Sequence, residues 1–239
     1  MIVERPIPDL QGTGTPETIW AACQRLGRLP TWQPEPPPSA RVVVVAPHPD
    51  DEILGAGGTI ARLHRAGASV ALVAVTDGEG SHPGMETHLR RVRPQETAAA
   101  VARLGIRPHS VHRLRHPDGK IDELTLAEQL AELVNPGDLV LAPWSRDGHP
   151  DHDAAGRAAE TASGRSGTQL LAYLVWAWHW AEPADLPWSR ALRVDIADLM
   201  PSKRAAATRF TSQITVPPVV LRQHVLRRLL RPYEVLVRP

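Results

Sequence analysis

From residue 41 onward, apolar residues alternate between short continuous runs and helix-like spacing. Residues 41–46 contain a continuous β-branched run, the four valines at 42–45, which is typical of a strand buried on both faces. Residues 53–66 carry Ile53, Ile60 and Leu63 at helical spacing and end before Gly67, a residue type favoured just after a helix. The same alternation predicts strands at 69–75, 111–114, 138–142 and 170–176, and helices at 89–104, 124–134 and 153–163.

This alternation of strands and helices predicts the fold class. We expect an α/β protein with a Rossmann-like, mostly parallel sheet and helices on both faces. After Pro183 the pattern weakens, and it indicates strands at 192–196 and 234–237 and helices at 202–210 and 219–230. In parallel sheets, ligands gather beyond the carboxyl ends of the strands. Polar side chains that follow the strands are therefore the first candidates for a functional site.

The first 40 residues differ from the rest of the chain. Thr15 can cap, and Pro16 can begin, a short helix over residues 16–26. Residues 30–38 hold five prolines, which favour an extended connector because proline fixes φ and removes a hydrogen-bond donor. We therefore divide the chain into an N-terminal extension with a Pro-rich connector at 1–40 and a single α/β domain at 41–239.

Composition narrows the classes of function. The 239 residues carry a formal net charge of +1, so no strong field attracts nucleic acid or an anionic membrane, and we expect neither partner. The sequence has no apolar run of about 18 residues, so we expect no membrane span. The single cysteine, Cys23, leaves no internal disulfide, and the N-terminal residues have no signal-peptide pattern. We expect a cytoplasmic protein that could form a homo-oligomer.

Two acidic histidine clusters each follow a predicted strand that ends in Ala-Pro. Residues 47–52 read Pro-His-Pro-Asp-Asp-Glu, and residues 149–152 read His-Pro-Asp-His. His48 and Asp51 lie three residues apart in a strand-to-helix turn, and His152 begins the next predicted helix. Two imidazoles and one carboxylate could hold a divalent metal, with Asp50 left beside it. A bound metal with a free carboxylate beside it is the minimum that metal-assisted hydrolysis requires.

Other interpretations of the clusters stay open at this point. Proline and aspartate favour loops and helix caps, and a third His-Pro-Asp, at 116–118, is followed by Gly119 and is typical of a turn. We do not expect His116 to bind a metal. His48, Asp50 and the distant His152 also imitate the two-histidine, one-carboxylate site of iron oxygenases. A non-catalytic module that binds a metal or a sugar would carry the same residues.

Taken together, the clusters resemble the LmbE-like or PIG-L-like family of zinc-dependent de-N-acetylases. The family pattern is His-Pro-Asp-Asp-Glu after the first strand and His-x-Asp-His after a later strand, and residues 48–52 and 149–152 match it. The likeness extends through 57–59, 76–79, the Arg-x-x-Glu of 93–96, Lys203 and 212–213, so it covers roughly residues 42–213. The first 40 residues and the tryptophan-rich stretch do not match the family pattern.

The resemblance implies a zinc-dependent hydrolase and assigns roles to eight side chains. Zn²⁺ or another divalent transition metal would be bound by His48, Asp51 and His152. Asp50 would be the general base, and His149 would stabilise the oxyanion or donate a proton, with Asp151 behind it. Arg93 and Asp118 would contact the substrate. The implied reaction removes an acyl group, expected to be acetyl, from an N-acetylglucosamine-type or glycosylated natural-product substrate. Within the same family, the alternative substrates are amides of thiol conjugates.

Two further patterns concern packing. Trp176, Trp178 and Trp180 occupy alternate positions, so a strand would place all three side chains on one face. We expect this face to belong to the core or to a surface between subunits. The alternative is that the three rings form a platform on which sugar rings pack. Gly55, Gly57 and Gly58 lie in a predicted helix, where glycine is unfavourable. They indicate close backbone packing or flexibility at the start of that helix.

Overall fold

A computed structural model describes residues 12–239 of the chain. Within this range, seven strands form one sheet in the order β3-β2-β1-β4-β5-β7-β6. The strands are β1 (Arg41–Ala46), β2 (Ser69–Ala74), β3 (Ser110–Arg113), β4 (Leu139–Pro143), β5 (Gln169–Tyr173), β6 (Ala191–Asp195) and β7 (Tyr233–Val237). The first five pair in parallel, while β7 runs antiparallel to both β5 and β6. The predicted fold class, a mostly parallel α/β sheet, is confirmed.

Helices cover both faces of this sheet. They are α1 (Glu17–Ala21), α2 (Gln24–Gly27), α3 (Asp51–Arg65), α4 (Glu86–Arg103), α5 (Glu123–Leu133), α6 (Pro150–Ser166), α7 (Ala177–Trp180), α8 (Met200–Ala207), α9 (Thr211–Ile214) and α10 (Gln223–Leu229). Val42 and Val44 of β1 belong to the same buried cluster as apolar residues of α3 and α4. Val43 and Val45 point to the opposite face and pack with residues of α5 and α6. None of the helices within residues 12–239 is long and apolar enough to cross a membrane.

The sheet order places the two histidine clusters at one edge. β1 and β4 are neighbours, so the turn after β1 and the segment after β4 leave the sheet side by side. β1 also pairs with β2 on its other side, and the strand order therefore changes direction at β1. Such a switch point leaves a crevice beyond the strand ends, where ligands bind in open α/β sheets.

The described part of the N-terminal extension packs against the sheet domain. Thr31 forms a parallel bridge with Arg193 of β6, and the Trp20 indole Nε1–H donates to the Trp178 carbonyl at 3.0 Å. The single helix predicted over 16–26 is wrong, because the chain breaks between α1 and α2 at residues 22–23. Thr15 does not cap α1, since its hydroxyl donates to the Ala181 carbonyl instead. The division of the chain at residue 40 stays a prediction.

The strand predicted over residues 170–176 forms, but its predicted extension to Trp176 is wrong. β5 ends at Tyr173, and Ala177–Trp180 forms one turn of helix. The cause lies elsewhere in the chain: the Asp147 carboxylate accepts the backbone N–H groups of residues 175–177 at 2.8–3.0 Å and turns the chain away from the sheet. As a result Trp178 packs edge-on against Trp20, with ring centroids 4.9 Å apart, while Trp176 lines a pocket.

The glycines of α3 permit close packing. A Cβ on Gly55 would lie 2.2 Å from a ring carbon of Tyr173, and one on Gly58 would lie 2.5 Å from a side-chain carbon of Ile196. Both distances are far below van der Waals contact, so neither position accepts a side chain without displacing its neighbour. Close packing therefore explains why glycine occupies these positions, and it lets α3 lie directly against the sheet.

Candidate metal centre and active site

The first histidine cluster forms a strained turn between β1 and α3. Asp50 has φ of 129°, a value that residues with a side chain rarely adopt and that costs on the order of 1–3 kcal/mol. Two side chains hold the turn from outside, because Gln213 Nε2 donates to the Pro49 carbonyl at 2.5 Å and Thr76 Oγ1 donates to the Pro47 carbonyl at 2.8 Å. Backbone strain that neighbouring groups enforce in this way is typical of functional sites.

Three side chains from the two clusters meet in a closed triangle. His48 Nδ1 lies 3.2 Å from His152 Nε2, His152 Nε2 lies 3.2 Å from Asp51 Oδ2, and Asp51 Oδ2 lies 3.4 Å from His48 Nδ1. A tetrahedral metal with bonds of about 2.0–2.1 Å requires ligand atoms about 3.3–3.4 Å apart. The triangle therefore has the dimensions, and the nitrogen and oxygen donors, of a divalent transition-metal site with one side open.

Each imidazole in the triangle has a carboxylate on its opposite nitrogen. His152 Nδ1 lies 2.8 Å from Asp147 Oδ2, and His48 Nε2 lies 3.0 Å from Asp151 Oδ2 and 3.1 Å from Asp118 Oδ1. Carboxylates placed in this way fix the orientation of a ligating imidazole and raise its basicity. They leave His48 Nδ1 and His152 Nε2 as the nitrogens that face the centre of the triangle.

The position of Asp151 corrects one detail of the sequence analysis. Its carboxylate was expected behind His149, but it lies against His48 and also accepts the Gly119 backbone N–H at 2.7 Å. His149 is held differently, since its Nδ1 accepts the backbone N–H of Asp151 at 3.2 Å. Sequence spacing could not distinguish these arrangements, because Asp151 is close to His149 along the chain and to His48 only after folding.

Two other groups of side chains within residues 12–239 could also bring three ligand atoms within 4.8 Å of one another. One combines His48 with Asp118 and Asp151, and the other combines His48 with His149 and His152. We favour the triangle with Asp51, because it joins a carboxylate oxygen to two imidazoles that both keep carboxylates on their outer nitrogens. Asp51 is also restrained, since its Oδ2 accepts the His48 backbone N–H at 2.9 Å.

The charges around the triangle favour a cation. Burial lowers the pKa of His152, but Asp51 and Asp147 outweigh that effect and raise it to about 9. The pKa of His48 is likewise raised well above its usual value, since its contacts with carboxylates outweigh its burial. Although burial alone would raise the pKa of Asp51, the two imidazoles hold it below the ordinary value. Protons and a divalent cation compete for these same nitrogens, so a site that attracts one attracts the other.

Asp50 and His149 lie beside the triangle and line the same pocket. Burial, together with Asp51 and Glu52, raises the pKa of Asp50 well above its usual value. His149 stacks on Trp176 with ring centroids 6.3 Å apart, and burial with the neighbouring imidazoles lowers its pKa to about 3. One carboxyl group with a raised affinity for protons and one neutral imidazole thus lie next to the candidate metal position.

The two predicted substrate contacts, Arg93 and Asp118, also line the pocket. Arg93 is only 2% exposed, and its guanidinium donates to the Gly78 carbonyl at 2.5 Å and to Ser81 Oγ at 2.8 Å. Asp118 Oδ2 accepts the Gly80 backbone N–H at 2.8 Å. Both side chains therefore organise the loop at 78–81, and their contact with a substrate stays a prediction. His116 bonds to Gln129 at 2.8 Å and lies outside the candidate metal sets found among the described residues.

Sequence reasoning missed Asp147. This carboxylate is fully buried, and it joins His152 to the three backbone N–H groups of residues 175–177. The sequence offers little signal for it, because Asp147 precedes a glycine in a polar loop and has no ligand-like spacing. Its role follows only when β4 and β5 are neighbours in the sheet.

Comparison with known proteins identifies the family of the chain. Residues 43–163, about half of the chain, match the model of the PIG-L family, described as GlcNAc-PI de-N-acetylase. The chain belongs to the PIG-L family. A diacetylchitobiose deacetylase from Thermococcus kodakarensis is 32% identical to this PIG-L protein over 127 residues, which cover 48% of this chain and 46% of that enzyme. The chain spans about half the length of the curated relatives it matches.

Solved structures share the PIG-L fold of the chain. A conserved protein from Thermus thermophilus is 31% identical and aligns with a TM-score of 0.58 over 78% of this chain and 84% of its own. A 4-carboxy-2-hydroxymuconate hydratase from Pseudomonas putida, 24% identical, aligns with a TM-score of 0.58 over 79% of this chain and 82% of its own. The second likeness shows the fold alone, so the reaction has to be argued from the site.

Proposed function

We propose that this PIG-L protein is a metal-dependent hydrolase that removes an acyl group, expected to be acetyl, from the amine of an N-acetylglucosamine-type or glycosylated natural-product substrate. The observation that carries the proposal is the triangle of His48, Asp51 and His152 with Asp50 beside it in a pocket. The relative from Thermococcus kodakarensis is named as a deacetylase, which supports the same reaction class.

We further propose that the metal is Zn²⁺, held by His48, Asp51 and His152. Two imidazole nitrogens and one carboxylate oxygen with an open position are a donor set that catalytic zinc sites use. When bound there, such an ion polarises an amide carbonyl and lowers the pKa of a coordinated water toward about 7. The iron-oxygenase alternative used His48, Asp50 and His152, and a triangle closed by Asp51 keeps the same two-histidine, one-carboxylate donor set. The relative that is named as a deacetylase favours hydrolysis over that alternative.

In this proposal Asp50 accepts a proton and His149 donates one. Asp50 accepts a proton from the attacking water, which is the task of a general base. Because His149 Nδ1 accepts the Asp151 N–H, the neutral ring carries its proton on Nε2. That proton can be donated to the developing oxyanion or to the departing nitrogen. Water adds across the amide, the C–N bond breaks, and the products are a free amine and a carboxylate.

The test is amine release by metal-loaded protein. N-acetylglucosaminides, N-acyl variants and amides of thiol conjugates are incubated with the enzyme, and both free amine and free acid are quantified, which also separates hydrolysis from hydration. We expect release that stops with a chelator and returns with Zn²⁺. Asp50→Asn should slow release by about 10²-fold or more with metal still bound, while the exposed Asp195→Asn control should not. Absence of release across the panel from protein with one metal per chain would contradict the proposal.

We place the reaction in the cytoplasm, because a single cysteine leaves no internal disulfide that would require an oxidising compartment. The partner in this proposal is a small-molecule amide.

A further inference from the structure

The pocket beside the triangle has two walls of different chemistry. Its volume is about 360 Å³, and its polar wall carries the metal-binding turn, Arg93 and Asp118. Another part of the lining is apolar and consists of residues 218–221 with Val225 and Leu229 of α10, while Arg222 and His224 of the same stretch also line the pocket. We name this second surface the apolar wall. Val219 and Val220 are half-buried and line the pocket, so the cavity lined by His48, Asp50 and Asp51 also presents apolar side-chain surface.

Hydrogen bonds hold the apolar wall in place. The Gln213 carbonyl accepts the backbone N–H groups of Val220 at 3.1 Å and Leu221 at 3.0 Å, while the same residue's side chain donates to Pro49 in the metal-binding turn. At the other side, His82 Nε2 lies 3.1 Å from the Val216 carbonyl. The wall is therefore tied to the turn that carries His48 and Asp51. A surface preorganised in this way contributes to binding without a further ordering cost.

Two of the polar side chains that line the pocket are already engaged by other protein groups. Both guanidinium nitrogens at the tip of Arg93 donate to the loop at 78–81, and Asp118 is already in contact with His48 and Gly80. A hydroxyl that leaves water without a new partner costs free energy, whereas an apolar group that leaves water gains it. Against the apolar wall, an alkyl or aryl group is therefore favoured over a hydroxyl.

We propose that this pocket selects N-acyl substrates that carry an alkyl or aryl group, which packs on the apolar wall, over unsubstituted N-acetyl sugars. The inference rests on the proposed function and names its substrate class. The apolar group can belong to the acyl chain or to the aglycone on the amine side. Each methylene that becomes buried strengthens binding by about threefold to fourfold.

Binding of the two product types separates these sources and needs no turnover. One series consists of methyl, butyl and hexyl glucosaminides, and the other of acetate, butanoate and hexanoate, each titrated calorimetrically into metal-loaded protein. We expect affinity to rise at least tenfold from the shortest to the longest member of one series. Val219→Thr with Val220→Thr keeps the side-chain shape but adds hydroxyls, so that rise should shrink at least threefold. The matched control is Val111→Thr on the exposed surface of β3, which should leave the rise unchanged.

The outcomes are distinguishable from those of the proposed function. Affinity that is independent of chain length in both series overturns this inference, even when N-acetyl sugars are hydrolysed. A rise that persists unchanged in the double Val→Thr variant also overturns it, because the apolar wall would not be the binding surface. Conversely, the protein can hydrolyse none of the amides and still show an affinity that rises with chain length and a smaller rise in the double variant. That result supports this inference and contradicts the proposed reaction.

Discussion

The backbone strain at Asp50 makes an unusual stability prediction. At most positions, replacing a residue by glycine destabilises a protein more than replacing it by alanine. Asp50 has φ of 129°, which glycine adopts freely and alanine does not. Both substitutions remove the same carboxylate, so their difference isolates the backbone. We therefore expect Asp50→Gly to be more stable than Asp50→Ala, the reverse of the usual order.

The expected size follows from two opposing contributions. Strain at such a φ costs alanine about 1–3 kcal/mol, and the greater freedom of glycine in the unfolded chain costs it about 0.5–1 kcal/mol. The net advantage of Asp50→Gly is then on the order of 1 kcal/mol, which shifts the melting temperature by about 2–4 °C in a chain of this size. Both variants should also lose turnover by about 10²-fold or more, because the proposed general base is absent.

The assay is thermal unfolding of chelator-treated protein, followed by circular dichroism. Glu128, an exposed residue within α5, provides the matched control pair. In that ordinary helical position Glu128→Gly should melt lower than Glu128→Ala by an amount equivalent to about 1 kcal/mol. If the glycine variant at position 50 is also the less stable one, the turn is not strained, and the argument that its surroundings enforce a functional geometry is refuted.

Two further predictions concern packing and the support of the proposed metal ligands. Gly58→Ala should destabilise the protein by about 1–3 kcal/mol, because its Cβ would lie 2.5 Å from a side-chain carbon of Ile196. The control Gly164→Ala, in the open part of α6, should stabilise the protein by about 0.5–1 kcal/mol. Equal effects of the two substitutions on urea unfolding would contradict the packing argument. Asp147→Asn should weaken Zn²⁺ binding by about 10–100-fold in a competition titration. The reason is that the amide cannot replace a carboxylate that contacts His152 and accepts three backbone N–H groups. Unchanged Zn²⁺ affinity would show that Asp147 does not support His152 as a ligand.

The parts of the fold that depend on local pattern were predictable. The run of valines in residues 42–45 indicated a strand buried on both faces, and the structure buries alternate valines in separate clusters. The placement of both histidine clusters at one sheet edge followed from the same alternation, because parallel strands end together. Sequence motifs then identified which polar side chains lie there.

Other features depend on tertiary contacts that no local pattern encodes. The alternation of Trp176 and Trp178 fits a strand as well as it fits a helical turn, and Asp147, nearly thirty residues earlier in the chain, decides between them. Asp151 supports His48 instead of His149 for the same reason, since the partner 103 residues away becomes close only in the folded chain. Residues that act through backbone groups or across the sheet leave no spacing signal.

The central claim is that the two clusters hold one cation through Asp51. Anomalous diffraction at the zinc edge from crystals of Zn²⁺-loaded protein tests it directly. We expect one peak about 2.0–2.2 Å from His48 Nδ1, Asp51 Oδ2 and His152 Nε2. A peak on the other side of the His48 ring, bound by Nε2 with Asp118 and Asp151, or no peak within reach of His152, would contradict the account.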